Sequence, residues 1–93
     1  MNYGHKEEEL VEVLEEVGAI DVKDLVVFND DYNTFDHVIN TLVKVCSHTP
    51  TQAEQCTLII HYKGKCAVKK GTYTELKPMR SSINEAGISA TIM

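Results

Sequence analysis

The sequence predicts an α+β domain, a small three-stranded sheet covered on one face by helices. Three observations carry that expectation. Short β-rich or alternating runs stand at Leu25–Phe28, Lys65–Lys70 and Ile88–Ile92. Apolar residues at helical spacing fill the stretches between them. The first of those stretches holds two helices in immediate succession where a simple crossover would hold one, so the order reads β-α-α-β-α-β and strands and helices are unevenly interleaved. At 93 residues the chain has room for one core and no second module.

Each element has a local cause. Leu25-Val26-Val27-Phe28 forms the first strand and stops at the turn-forming string Asn29-Asp30-Asp31-Tyr32-Asn33. From Thr34 to Ser47, Phe35, Val38, Ile39, Leu42, Val45 and Cys46 recur on one helical face, with Asn33 or Thr34 available as the cap and Asp36 in the first turn, where the helix dipole favours a carboxylate. Thr49-Pro50-Thr51-Gln52 starts the next helix with a cap, a proline at the first helical position and a glutamine placed for a capping box. Ala53, Cys56, Thr57 and Ile60 share its face, and Gly64 terminates it. Lys65–Lys70 is the second strand and Gly71-Thr72 a bend. Pro78 opens a third helix carrying Met79 and Ile83 inward, Gly87 ends it, and Ile88–Ile92 alternates as the last strand.

Charge divides the chain. Residues 1–36 hold eleven acids against two bases, a charge of −9, and residues 37–93 hold three acids against seven bases, a charge of +4. So acidic a leading half argues against nucleic acid, whose phosphates draw affinity from a concentrated basic face. Residues 1–24 read as an acidic, mobile extension. Within it, Leu10, Val11, Leu14 and Val17 form a helical stripe that Glu8, Glu12 and Glu16 weaken by repulsion across successive turns. Residues 25–93 read as the folded core. Lys63, Lys65, Lys69 and Lys70 cluster as a solvated edge or a docking face for an acidic partner.

No apolar run approaches the ~20 residues needed to span a bilayer, and the first residues lack the pattern of a secretory signal. The expectation is a soluble, cytoplasmic monomer without an anchor. Cys46, Cys56 and Cys66 lie ten residues apart with no CxxC pair and read as reduced, mostly buried small hydrophobes. No serine occupies a nucleophile elbow, no glycine-rich phosphate loop is present, and no enzymatic activity or cofactor is expected. The polar groups concentrate at Asn29-Asp30-Asp31, with His61 brought near at the end of the second helix. Two uses are open to them on composition: a plain turn with helix capping in a structural or docking domain, or a metal hydrolase at Asp30, Asp31 and His61. Neither HxxxH nor DxDxDG spacing is present for a metal.

Two strings, Val27-Phe28-Asn29-Asp30-Asp31-Tyr32-Asn33-Thr34-Phe35-Asp36-His37-Val38-Ile39 and Ile60-His61-Tyr62-Lys63-Gly64-Lys65, together resemble the ClpS family. Members of that family are adaptors that deliver proteins with a destabilising N-terminal residue to a ClpA or ClpC unfoldase and its ClpP protease. The resemblance covers Leu25 to Met93 and leaves the acidic extension outside. It implies a sandwich of three antiparallel strands and three helices. It also implies that Asn29, Asp30 and His61 contact a substrate's α-amino group, that Asp31 supports the corner, and that Ile39, Leu42 and Cys46 stay in the core. The side-chain pocket is implied at Asn33, Phe35, Val38, Thr57, Ile60 and Ile88, for an N-terminal Phe, Tyr, Trp or Leu. Three positions depart from the family: Asn33 for a threonine, Phe35 for a methionine gate, Thr57 for a methionine wall. Phe35 narrows the mouth, whereas Thr57 enlarges or polarises the floor. Glu75, Lys77 and Arg80 are the candidates for docking to the unfoldase, although two extra residues between Gly64 and Gly71 blur that correspondence.

The residue types suit an amine. An α-ammonium group has three donors and one charge, which the Asn29 amide oxygen, the Asp30 carboxylate and a neutral His61 nitrogen together match, whereas an internal peptide bond has a single donor. Charge-assisted bonds of about 1.5–3 kcal/mol each, set against the entropy of association, give affinities on the order of micromolar. Binding then peaks between the reference pKa values of an imidazole, ~6.5, and a terminal amine, ~7.7–8.0.

Overall fold

A computed structural model describes residues 21–93. The acidic helical stripe expected at residues 7–17, and most of the expected extension, lie outside them. The elements are β1 (Lys23–Phe28), α1 (Phe35–Cys46), α2 (Pro50–Lys63), β2 (Lys65–Gly71), α3 (Tyr73–Glu85) and β3 (Ala90–Ile92), in the expected order β-α-α-β-α-β. The sheet runs β2-β1-β3 and every pairing is antiparallel, so β1 is the central strand.

Alternation along β1 sends Leu25 and Val27 into the core with no exposed surface. There they meet Val38, Leu42 and Cys46 of α1, Ala53 and Ile60 of α2, Leu76 and Ile83 of α3, and Ile88 and Ala90 at the last strand. Both helices of the hairpin start as their sequences dictate. Thr34 accepts from the His37 N–H, while Thr49 and Gln52 form a reciprocal capping box ahead of Pro50. The corner between them is tied to β2: the buried His48 donates from Nε2 to the Val68 carbonyl at 2.7 Å, and Lys69 Nζ donates to Cys46 O at 3.0 Å. Val68 is the extra residue of a bulge, since Leu25 pairs with Lys69 and Val26 with Ala67.

Three boundaries differ from the sequence expectation. β1 begins at Lys23, two residues early, because Lys23 and Asp24 pair with Gly71 and Lys70. β3 begins at Ala90, leaving Ile88 in the link before it. The third helix begins at Tyr73 and carries Pro78 in its interior. Its true start is the capping box of Thr72 and Glu75, in which the Thr72 hydroxyl accepts from Glu75 N at 3.2 Å and Glu75 Oε1 accepts from Thr72 N at 2.8 Å. A proline fits the first helical position well, but here that weak preference yields to two reciprocal bonds and to the complete burial of Leu76. The helix ends at Glu85, with Ala86 as its cap and Gly87 following at φ 86°.

Candidate functional site

The chain leaves β1 at Phe28, whose N–H donates to Ser89 O at 3.0 Å, and turns at Asn29, whose N–H donates to Gly64 O at 2.9 Å. Gly64 closes α2 in the left-handed region, φ 93°, with its own N–H on Ile60 O. These bonds hold the Asn29–Asn33 corner against the end of α2. Between them opens a hollow of about 310 Å³, bounded by Val27, Phe28, Asn29, Asp30, Asp31, Asn33, Phe35, Val38, Thr57, Ile60 and His61.

Asp30 organises the corner. Its Oδ1 accepts from the Tyr32 and Asn33 amides, both at 2.8 Å, and its Oδ2 from Asn33 Nδ2 at 2.7 Å. Asn33 Nδ2 also donates to Gly87 O at 2.9 Å, which anchors the corner to the link behind α3. The Asn33 amide bonds lower the Asp30 pKa below its ordinary value of 3.8, against some desolvation, with the Tyr32 amide and the nearby His37 adding to the effect. The carboxylate is therefore anionic at neutral pH. Of its roughly four acceptor positions, three are filled from within the corner, leaving one on Oδ2.

His61, on the last turn of α2, is held by ring contacts. Its imidazole stands edge to face with Phe35, centroids 5.1 Å apart, and with Tyr62 at 4.9 Å. Among the described residues no hydrogen bond engages either ring nitrogen or the Asn29 side-chain amide. Acceptors are thus open on both sides of one hollow. Its apolar lining comes from Val27, Val38 and Ile60, all nearly inaccessible. Thr57 belongs to the same wall, and its hydroxyl donates to Ala53 O at 2.8 Å. That bond spends the donor on the helix itself, so Thr57 shortens the side chain more than it polarises the floor.

The structure brings Asn29, Asp30, Asp31, Asn33, Phe35, Val38, Thr57, Ile60 and His61 to one hollow. Ile88 is a correction. It is 2% exposed within the main core and absent from the lining, because it stands in the link before β3 and packs inward there. Asp31 sits exposed on the rim, and the bonds that support the corner run through Asp30 and Asn33. Sequence reasoning missed Val27 and Phe28, though strand alternation immediately before Asn29 could have indicated Val27. Among the described residues no three His, Cys, Asp or Glu side chains converge as a metal set, and Asp30, Asp31 and His61 are not gathered as one. On α3, Glu75 is committed to its capping box, Arg80 lies 5.7 Å from the centre of the Tyr73 ring, and Lys77 is exposed. Among the described residues no helix is long and apolar enough to cross a membrane.

Residues 22–91 match the family model of the ATP-dependent Clp protease adaptor protein ClpS. The ATP-dependent Clp protease adapter protein ClpS of Thermosynechococcus vestitus is 32% identical over 66 residues, covering 70% of each chain. The E3 ubiquitin-protein ligase UBR1 of Drosophila melanogaster is 33% identical over 66 residues, which is 71% of this chain but only 4% of the ligase. Among solved structures, Agrobacterium tumefaciens ClpS2 bound to L-phenylalaninamide superposes with a TM-score of 0.66 at 20% identity, covering 77% of this chain and 94% of that one. That likeness establishes the shared sandwich, while the family match extends over 70 of the 93 residues, strand, corner and histidine included. The chain belongs to the ClpS family.

Proposed function

We propose that this protein binds other proteins by a bulky hydrophobic N-terminal residue and passes them to a ClpA- or ClpC-type unfoldase with its ClpP protease. One observation carries the proposal: unoccupied acceptors on Asn29, Asp30 and His61 border the same 310 Å³ hollow that Val27, Val38 and Ile60 line with apolar surface. An α-ammonium group placed at that rim has three donors for three acceptors and meets the Asp30 charge. Its side chain then falls into the hollow, where burying a Phe or Leu contributes about 1.5–3 kcal/mol. Aspartate or lysine in that position loses its hydration without a partner. The ligand of the Agrobacterium relative, an aromatic residue with a free amine, has this chemistry.

The roles follow from position. Asn29 and His61 accept from the amine, Asp30 supplies charge and its remaining acceptor site, and Asn33 fixes Asp30. Phe35, 40% exposed beside His61, forms the mouth. Lys77 and Arg80 on α3 are the outward groups for the unfoldase, in the cytoplasm where such proteases work. Fluorescence anisotropy on peptides that begin with Phe, Tyr, Trp, Leu, Ile, Met or Arg tests the binding step. Saturable binding confined to the large apolar residues supports the proposal, and equal binding of all seven overturns it.

A further inference from the structure

We propose that the open face of the sheet is a docking surface for the chain's own acidic segment, residues 7–17, which lies outside the described residues. Strand pairing sorts the side chains onto two faces. Leu25 and Val27, opposite Lys69 and Cys66 on β2 and Ile92 and Ala90 on β3, face the helices. Asp24, Val26 and Phe28, opposite Lys70, Ala67 and Lys65, face the other way, with Thr91 beside Val26. Among the described residues all three helices join the core through the first face. On the second, Val26 is only 7% exposed yet lies outside that core cluster, while Ala67 and Thr91 on either side of it are exposed. A valine floor between two small side chains results, with Lys65 and Lys70 exposed along its β2 edge. The fold thus divides the lysine cluster: Lys69 turns to the helix side and donates to Cys46 O, and Lys65 and Lys70 are left to the open face.

The segment matches this face in charge, pattern and length. Residues 1–20 hold six acids and one base, whereas residues 21–93 hold eight of each, so the chain's surplus negative charge lies ahead of the sheet. Leu10, Val11, Leu14 and Val17 share one helical stripe, Glu7 continues its line, and Glu8 and Glu15 flank it. Residues 7–17 as a helix span about 16 Å. The six residues of β1 span about 20 Å. The chain enters β1 at Lys23, beside the Lys70–Gly71 end of β2, and residues 18–22 reach about 17 Å, enough to turn back over the sheet. A helix entering from that end lays its stripe on Val26, Ala67 and Phe28 and brings Glu7 and Glu8 toward Lys65. Neighbouring lysines also relieve the repulsion among Glu8, Glu12 and Glu16. The short tether favours this occupant over an acidic segment of another protein, because it supplies an effective concentration on the order of millimolar.

Zero-length carbodiimide cross-linking of the full chain tests the proposal, on an equal mixture of isotopically light and heavy protein, with links mapped by mass spectrometry after digestion. The expected result is an amide link within one chain from Lys65 to Glu7 or Glu8. The Lys70–Asp24 ion pair, 2.8 Å apart, couples in every variant and reports an intact sheet. Leu10→Ser combined with Leu14→Ser removes the apolar stripe, keeps every charge, and abolishes the Lys65 link. A normal Lys70–Asp24 link with no Lys65 link to the segment overturns the proposal. So does a Lys65 link that persists in the double variant, or one that joins light to heavy chains and so makes a second copy the occupant.

Discussion

The amide of Asn29 donates to the carbonyl of Gly64 at 2.9 Å, joining two corners that lie 35 residues apart in sequence. Asn29 begins the polar turn after the central strand, and Gly64 closes the helix that carries His61. The bond therefore sets the spacing of the two acceptor groups across the hollow. It depends on Gly64 at φ 93°, a conformation that a side chain resists.

Gly64→Ala isolates that dependence, because an added Cβ meets no atom within 4 Å and backbone strain is the whole effect. The left-handed conformation costs an alanine about 1 kcal/mol. For a domain of this size that lowers Tm by roughly 4–8 °C. Calorimetry that finds Tm unchanged contradicts the role given to this glycine.

Asn29→Ala and His61→Ala each remove one acceptor from an exposed position, so both variants keep their fold. Loss of a charge-assisted bond of about 1.5–3 kcal/mol weakens a Phe-initiated peptide about 10- to 100-fold. Isothermal titration measures it. Affinity within twofold of the parent for either variant contradicts that residue's assignment.

Asp30 gives a pH dependence whose sign is fixed by its lowered pKa. A carboxylate bonded more strongly in the folded state stabilises the corner above its unfolded pKa, and that contribution is lost as pH falls through the folded value. The Tyr32 and Asn33 amide resonances should therefore titrate together with a midpoint below the ordinary value of 3.8. A shared midpoint at or above that value contradicts the hydrogen bonding described for Asp30.

Thr57 sets the depth of the hollow. Thr57→Met extends into it and reduces affinity for Trp- and Phe-initiated peptides about tenfold, equivalent to about 1.4 kcal/mol, with a smaller effect on Leu. Thr57→Val keeps the shape and removes only the hydroxyl bonded to Ala53 O, so affinity is unchanged and stability falls by no more than about 1.5 kcal/mol. Competition anisotropy on the two variants reads the difference. An equal loss in both contradicts a floor defined by side-chain length.

Where the sequence carries strong local chemistry, it reads correctly. Thr49, Pro50, Gln52 and Gly64 bracket α2 to the residue. The two polar strings also locate the rim, because turn formers and a terminal helical histidine cannot be buried cheaply. Competing local signals mislead. Pro78 resembles a helix start, and only the packed position of Leu76 and the Thr72–Glu75 box show where α3 begins. The lining was legible only in part, since inward direction is a tertiary property: Ile88 turns into the core while Val27, from the strand before the corner, lines the hollow.

The most direct measurement compares one Phe-initiated peptide with its N-acetylated twin by fluorescence anisotropy at neutral pH. Acetylation removes the charge and two donors and leaves the aromatic side chain intact. Saturable binding of the free amine on the order of micromolar, with a loss of at least about 100-fold on acetylation, is the result expected. Equal binding of the two peptides would show that the apolar hollow alone holds the ligand and that Asn29, Asp30 and His61 do not read a chain terminus.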